Sequence, residues 1–210
     1  ATLAGALAAL ALIWRSRHRR LLAALLLPAA VYFALAMTTH IDIGVRYLLP
    51  IYPFLIVVIA AVLAEWKKPA AIAVVALLAI ESAAIYPDYL AFFNVPSGGP
   101  KAGPNYLLDS NIDWGQDYKK LSRYLASHGI RDIRLGFFAN VDFAYYGIHA
   151  DGIPQDATAD TLNDVVAVSA TPLFGQYVGP ERFAWLRARR PMAVVGHSIF
   201  VYDLRKNPAP

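Results

Sequence analysis

Asp109, Asp113 and Asp117 recur at intervals of four within DSNIDWGQD, interleaved with Asn111, Trp114 and Gln116. Carboxylates so placed suit three kinds of work: ligating a hard cation through oxygen, moving a proton, or accepting the free N–H groups at a helix start. As a calcium loop, Asp109, Asn111 and Asp113 fit the opening D-x-N-x-D. The glycine needed next is Trp114, however, and the bidentate Glu needed at the twelfth position is Lys120, so that reading fails twice. As a helix start, Asp113 and Gln116 form D-x-x-Q, in which the Asp accepts from free backbone N–H groups and the Gln reaches back. Asp117 would then lie in the first turn, where the helix dipole favours a negative charge. This accounts for Asp113, Gln116 and Asp117 and leaves Asp109, Asn111 and Trp114 without a role.

A second set of reactive types crowds the short stretch TTHIDIGVRY: His40, Asp42, Arg46 and Tyr47. A guanidinium donates two parallel hydrogen bonds to a phosphate. Arg46 at the end of an apolar run therefore suits either a lipid phosphate or simple interfacial anchoring. Glu81 interrupts another apolar run, where a carboxylate is costly and turns toward protein or water. His128, His149 and His197 lack ligand-spaced partners, which argues against zinc. Ser198 has no nucleophile elbow around it. The chain has no cysteine, which removes thiol catalysis and disulfides. No G-x-G-x-x-G or P-loop is present; PSGGPKAGP has the glycines and lysine but is broken by prolines and follows no strand.

The elements that must carry these residues fall into two compositional halves. Of 210 residues 58% are hydrophobic, above the share usual for a soluble domain, and the excess lies in residues 1–86. Leu21–Met37 and Leu48–Ala64 are uncharged runs at the short end of a membrane span, and Ala70–Tyr86 is broken only by Glu81 and Ser82. Thr2–Trp14 is too short to span, and its basic residues follow it rather than precede it, unlike a signal peptide. We expect a span truncated within a longer protein, then three full spans. The basic breaks RSRHRR and WKKP fall on one side by parity, so the positive-inside rule makes them cytoplasmic and puts residues 38–47, and everything after Tyr86, outside. The net charge of +4 resides largely in these clusters, which argue for topology and against a nucleic-acid partner.

After a Gly/Pro-rich connector (87–108), residues 109–210 read as a small extracytoplasmic α/β domain. Leu121, Tyr124, Leu125 and His128 have helical spacing, with Gly129 as a stop. IRLGFFA and DVVAVSA read as strands, the second buried on both faces. DFAYYGI reads as a short helix or turn. The spacing predicts a helix from Pro180 to Arg190 with its arginines favouring the dipole. MAVVG and IFVYDL predict a terminal hairpin around HS. The sheet should be partly parallel with an antiparallel edge.

The segments HIDIGVRYLLPIYPFL, PDYLAFFN, GGPKAGPNYLLDSNIDWGQDYKKLSRYL and VAVSATPLFG…FAWLRARRPMAVVGHSIFVYDL together resemble the C-terminal half of bacterial GT-C membrane glycosyltransferases. The group is the one similar to protein O-mannosyltransferases, glycosyltransferase family thirty-nine. The resemblance runs from about residue 38 to 205 and is most specific in the outer loop and SNIDWGQD. It implies an enzyme integral to the cytoplasmic membrane that moves a sugar from a polyprenyl-phosphate donor to an extracytoplasmic acceptor. In that class the catalytic base is an acidic residue in the first outer loop, so no catalytic residue is assigned in this sequence. By position, Arg46 with Tyr47 and His40 would bind the lipid phosphate. Asp42, Asp109, Asn111, Asp113 and Trp114 would line the cavity or its acceptor side. The class includes metal-dependent and metal-independent enzymes, which leaves a divalent metal open as cofactor. The competing expectation is a non-catalytic, membrane-anchored module that binds glycans or partner proteins.

Overall fold

A computed structural model of the chain describes Ser16 and residues 18–39, 44–65, 68–138 and 141–206. Its contacts divide into two compact units, Ala1–Tyr86 with Val95–Ser97, and Pro87–Asn94 with Gly98–Pro210.

The first unit is helical. Helix α1 (Arg19–Thr38) is 20 residues long, about 30 Å at ~1.5 Å per residue. Gly44–Ile51 forms a 3-10 turn that runs into α2 (Tyr52–Ala64), with Pro53 in the first turn, where a missing N–H costs nothing. Helix α3 (Lys68–Ala84) follows. Leu22 of α1 packs on Val58 and Val62 of α2, and Ser16 Oγ donates to Glu65 Oε1 at 2.8 Å. Two helical stretches, Arg19–Thr38 and Gly44–Ala64, are long and apolar enough to cross a membrane. Only 11% of each apolar window is buried, unlike the core helix of a soluble protein, so most of that surface is uncovered by protein. Helix α3, at 17 residues, is shorter. Glu81 accepts a hydrogen bond from the Val95 N–H at 3.0 Å, so its carboxylate ties down the turn Val95–Ser97.

The second unit is a five-stranded sheet in the order β2-β1-β3-β5-β4. Strands β1 (Asp132–Gly136), β2 (His149–Gly152) and β3 (Val165–Ser169) run parallel. Strands β4 (Ala193–Val195) and β5 (Ile199–Asp203) form the antiparallel edge. Every residue of β3 is buried. Its alternation serves two cores, as period-2 geometry requires. Val165 and Ala167 face Tyr118, Leu121 and Leu125 of α4 (Tyr118–Ser127). Val166 and Val168 face Leu173 of α5 (Ala170–Leu173), Phe183, and Leu186 of α6 (Ala184–Arg187).

Two local expectations change, and one strand was not foreseen. The helix foreseen from Pro180 to Arg190 is confined to Ala184–Arg187. Arg187 lies in its last turn and donates to the Leu173 and Pro180 carbonyls, while Arg182, ahead of the helix, donates to those of Ile153, Pro154 and Gln155. Strand β1 ends at Gly136, two residues before the side chain of Phe138 joins an aromatic row. Strand β2, HADG, lacks apolar alternation because it is an exposed edge strand held by its register with β1.

Candidate functional site

The segment 109–117 is held by partners far away in sequence. The Asp109 N–H donates to Thr171 Oγ1 at 3.1 Å, and Tyr177 Oη donates to Asp109 Oδ2 at 2.7 Å. Asp109 has φ +57° and Tyr177 φ +66°, left-handed values that cost a non-glycine residue about 1–2 kcal/mol each. Asn111 Nδ2 donates to the Leu108 carbonyl, closing the 3-10 turn Asp109–Asn111. Trp114 is 60% exposed, with its ring centroid 6.3 Å from that of Phe138. Phe138 in turn stacks on Tyr177 at 5.4 Å, nearly parallel.

Helix α4 begins at Tyr118, so the capping box is absent. Asp113 instead accepts from the Gly115 N–H two residues on. Gln116 accepts from the Trp114 N–H and donates to the Ile112 carbonyl. The turn at Gly115, whose φ is +79°, consumes the residues that a longer helix would have used. Asp117 stands at the N-cap position, but its side chain makes no cap bond.

Asp117 turns inward, at 1% exposure, to accept from Ser198 Oγ at 2.7 Å and Lys120 Nζ at 2.8 Å. Lys120 also pairs with Asp88, whose Oδ2 lies 3.9 Å from His197 Nε2. Burial raises the Asp117 carboxyl above the ordinary carboxylate range against the pull of Lys120 and Ser198. Asp88, Gln116 and Lys120 line a cleft of about 290 Å³. Its cation is already met by two carboxylates, which marks it as a structural network.

Asp113 is the other buried carboxylate, also 1% exposed. The Ser169 hydroxyl and the Gly115 N–H meet its carboxylate, while the buried Ser110 Oγ and Tyr118 Oη make no hydrogen bond to the protein. Burial pushes the Asp113 pKa up, tempered by the nearby Ser169 hydroxyl and the Gly115 N–H. Burial, then the Asp113 charge, pushes the Tyr118 hydroxyl up as well. A buried polar group without a protein partner costs free energy unless water or another molecule meets it.

Of the residues singled out in the sequence, Asp109, Asn111, Asp113 and Trp114 share this segment. Arg46 and Tyr47 belong to the first unit: Arg46 is exposed in the turn Gly44–Ile51, and the Tyr47 carbonyl accepts from Tyr32 Oη at 3.1 Å. His40 and Asp42 lie outside the described residues. Sequence reasoning missed Phe138, Thr171 and Tyr177. Tyr177 lies between two glycines in FGQYVG, a turn signal that gave no hint of its partner. Among the described residues, no three His, Cys, Asp or Glu side chains are grouped to hold a metal ion. No family model matches this chain, and no curated protein or solved structure matches it either.

Proposed function

We propose that the chain is the C-terminal portion of an integral-membrane glycosyltransferase. It would move a sugar from a polyprenyl-phosphate donor to an extracytoplasmic acceptor. In this reading α1, α2 and α3 are spans, a further span precedes them, and the α/β unit lies on the extracytoplasmic side of the cytoplasmic membrane. The catalytic base lies in a preceding outer loop, as the resemblance to GT-C enzymes implies. The observation that carries the reading is Arg46, an exposed cation in the first turns of a 21-residue stretch of membrane-spanning length. That position suits headgroup depth, where a guanidinium meets phosphate.

The chemistry follows from charge. Breaking the sugar–phosphate bond builds negative charge on the leaving phosphate, and a fixed guanidinium at the edge of a low-dielectric layer stabilises it. Tyr47 and His40 would orient the same group. Asp109, Asn111, Asp113 and Trp114 would serve the acceptor side, and Asp42 the cavity.

Arg46→Ala in the intact membrane protein should lower transfer from a polyprenyl-phosphate sugar by roughly 10²–10³-fold, the scale of losing one fixed transition-state donor. Arg46→Lys should restore part of it, because charge survives without the planar fork. Unchanged turnover in a correctly inserted Arg46→Ala protein removes Arg46 from the mechanism. The exposed aromatic row beside Asp109 favours a second reading, a membrane-anchored glycan-binding module. That reading predicts saccharide binding with no transfer.

A further inference from the structure

The segment 109–117 sits at a defined place in the sheet. Strand β1 lies between β2 and β3, and the chain leaves it for β2 on one side before crossing to β3 on the other. In open sheets of this kind the crevice outside the carboxyl ends of the two strands at such a reversal is where ligands bind. Here those ends are Gly136, leading to Phe138, and Ser169, leading to Thr171. Asp109 bonds Thr171, and Trp114 packs beside Phe138, so the acidic segment occupies that edge.

What the edge presents is specific. Trp114, Phe138 and Tyr177 form a row of rings whose outer members are 60% and 68% exposed. Ring faces attract the weakly positive C–H groups of an apolar surface. Asp109 lies at the end of the row, fixed by Tyr177 Oη, and its two oxygens offer more lone pairs than the Ser110 N–H and Tyr177 use. The strained backbones of Asp109 and Tyr177 hold this pairing, and such strain collects at ligand sites.

A flat apolar face bordered by hydroxyls is the surface of a pyranose ring. The geometry points to a saccharide subsite at the carboxyl edge of β1 and β3. One pyranose ring of an oligosaccharide stacks on the exposed face of Tyr177, its hydroxyls donating to Asp109, and another ring of the same oligosaccharide meets Trp114. The parallel stacking of Phe138 on Tyr177 closes those two faces against each other, which leaves a platform rather than a cage for an alkylammonium group. As the acceptor subsite it rests on the transferase reading; as a saccharide site it does not.

The test uses the whole chain in a polyoxyethylene detergent, which carries no sugar headgroup. Maltohexaose, cellohexaose, chitohexaose and mannohexaose are titrated by saturation-transfer NMR, with choline as a cationic probe. At least one hexasaccharide should bind saturably. Trp114→Ala and Tyr177→Ala should each weaken it about tenfold, the order expected for losing one stacked ring. Asp109→Asn keeps a residue that tolerates the left-handed backbone and should weaken binding several-fold. Tyr145→Ala, which removes an exposed ring elsewhere in the unit, should leave affinity unchanged. The proposal is overturned if no hexasaccharide binds, if the ring variants bind like the parent, or if choline alone saturates. Binding needs no donor lipid, so saccharide binding by this chain together with no transfer by the intact membrane protein sinks only the transferase reading. Transfer without saccharide binding here sinks only this site.

Discussion

Gly196→Ala should destabilise the second unit by about 2–4 kcal/mol, lowering its melting temperature by about 10 °C. Two effects add. Gly196 has φ +59° in the β4–β5 turn, a value an L side chain adopts only under strain. A Cβ there would also overlap the Asp117 carboxyl, which is clamped between Ser198 and Lys120 and has nowhere to retreat. Thermal unfolding of the detergent-solubilised chain, followed by near-ultraviolet circular dichroism, reads the loss. Gly196→Ala combined with Asp117→Ala separates the causes. The double variant should be more stable than the sum of the two single losses predicts, because removing the carboxylate relieves the overlap. Strict additivity would show that the backbone alone carries the cost.

Asp113→Asn should stabilise the unit at pH 7 by about 1–3 kcal/mol, because burial penalises the ionised carboxylate more than the Ser169 hydroxyl and the Gly115 N–H relieve it. The sign follows from linkage. The folded carboxyl titrates above its unfolded value of about 3.9, so the folded state holds the proton more tightly. The contribution of Asp113 to stability is therefore fully present below about pH 4 and lost as pH rises through the folded value. Asn mimics the neutral acid at every pH. The two proteins should match in acid and diverge as pH rises, with the variant the more stable. A variant less stable than the parent by the same amount at all pH values would reveal an ordinary structural carboxylate. Asp117 contributes with the same sign, so some pH dependence should survive in the variant.

How legible the molecule was depended on the range of the interaction. The α4 helix, with its stop at Gly129, and the doubly buried strand β3 could be read directly, because helical spacing and an unbroken apolar run are local signals. So could the hairpin turn, where Gly196 and His197 both take positive φ. The apolar character of Arg19–Thr38 and Gly44–Ala64 could be read from composition. The edge strand β2 could not, because only its pairing with β1 makes it a strand.

The opening aspartates show where local reading stops. D-x-x-Q predicts a cap, yet Asp113 is buried below a turn and Asp117 gives its carboxylate to Ser198 and Lys120 rather than to the free N–H groups of the helix it precedes. The bonds that decide this join residues 62, 68 and 81 positions apart, Asp109 to Thr171, Asp109 to Tyr177 and Ser198 to Asp117. Period and composition, which are properties of neighbours, were enough to mark the segments apolar enough for a membrane and the helix and core strands α4, β1, β3, β4 and β5 of the α/β unit. The tertiary structure alone decided that DSNIDWGQD belongs at the carboxyl edge of β1 and β3 beside Phe138 and Tyr177. That placement is set by strand order and by burial against distant residues, and no spacing within the segment encodes either.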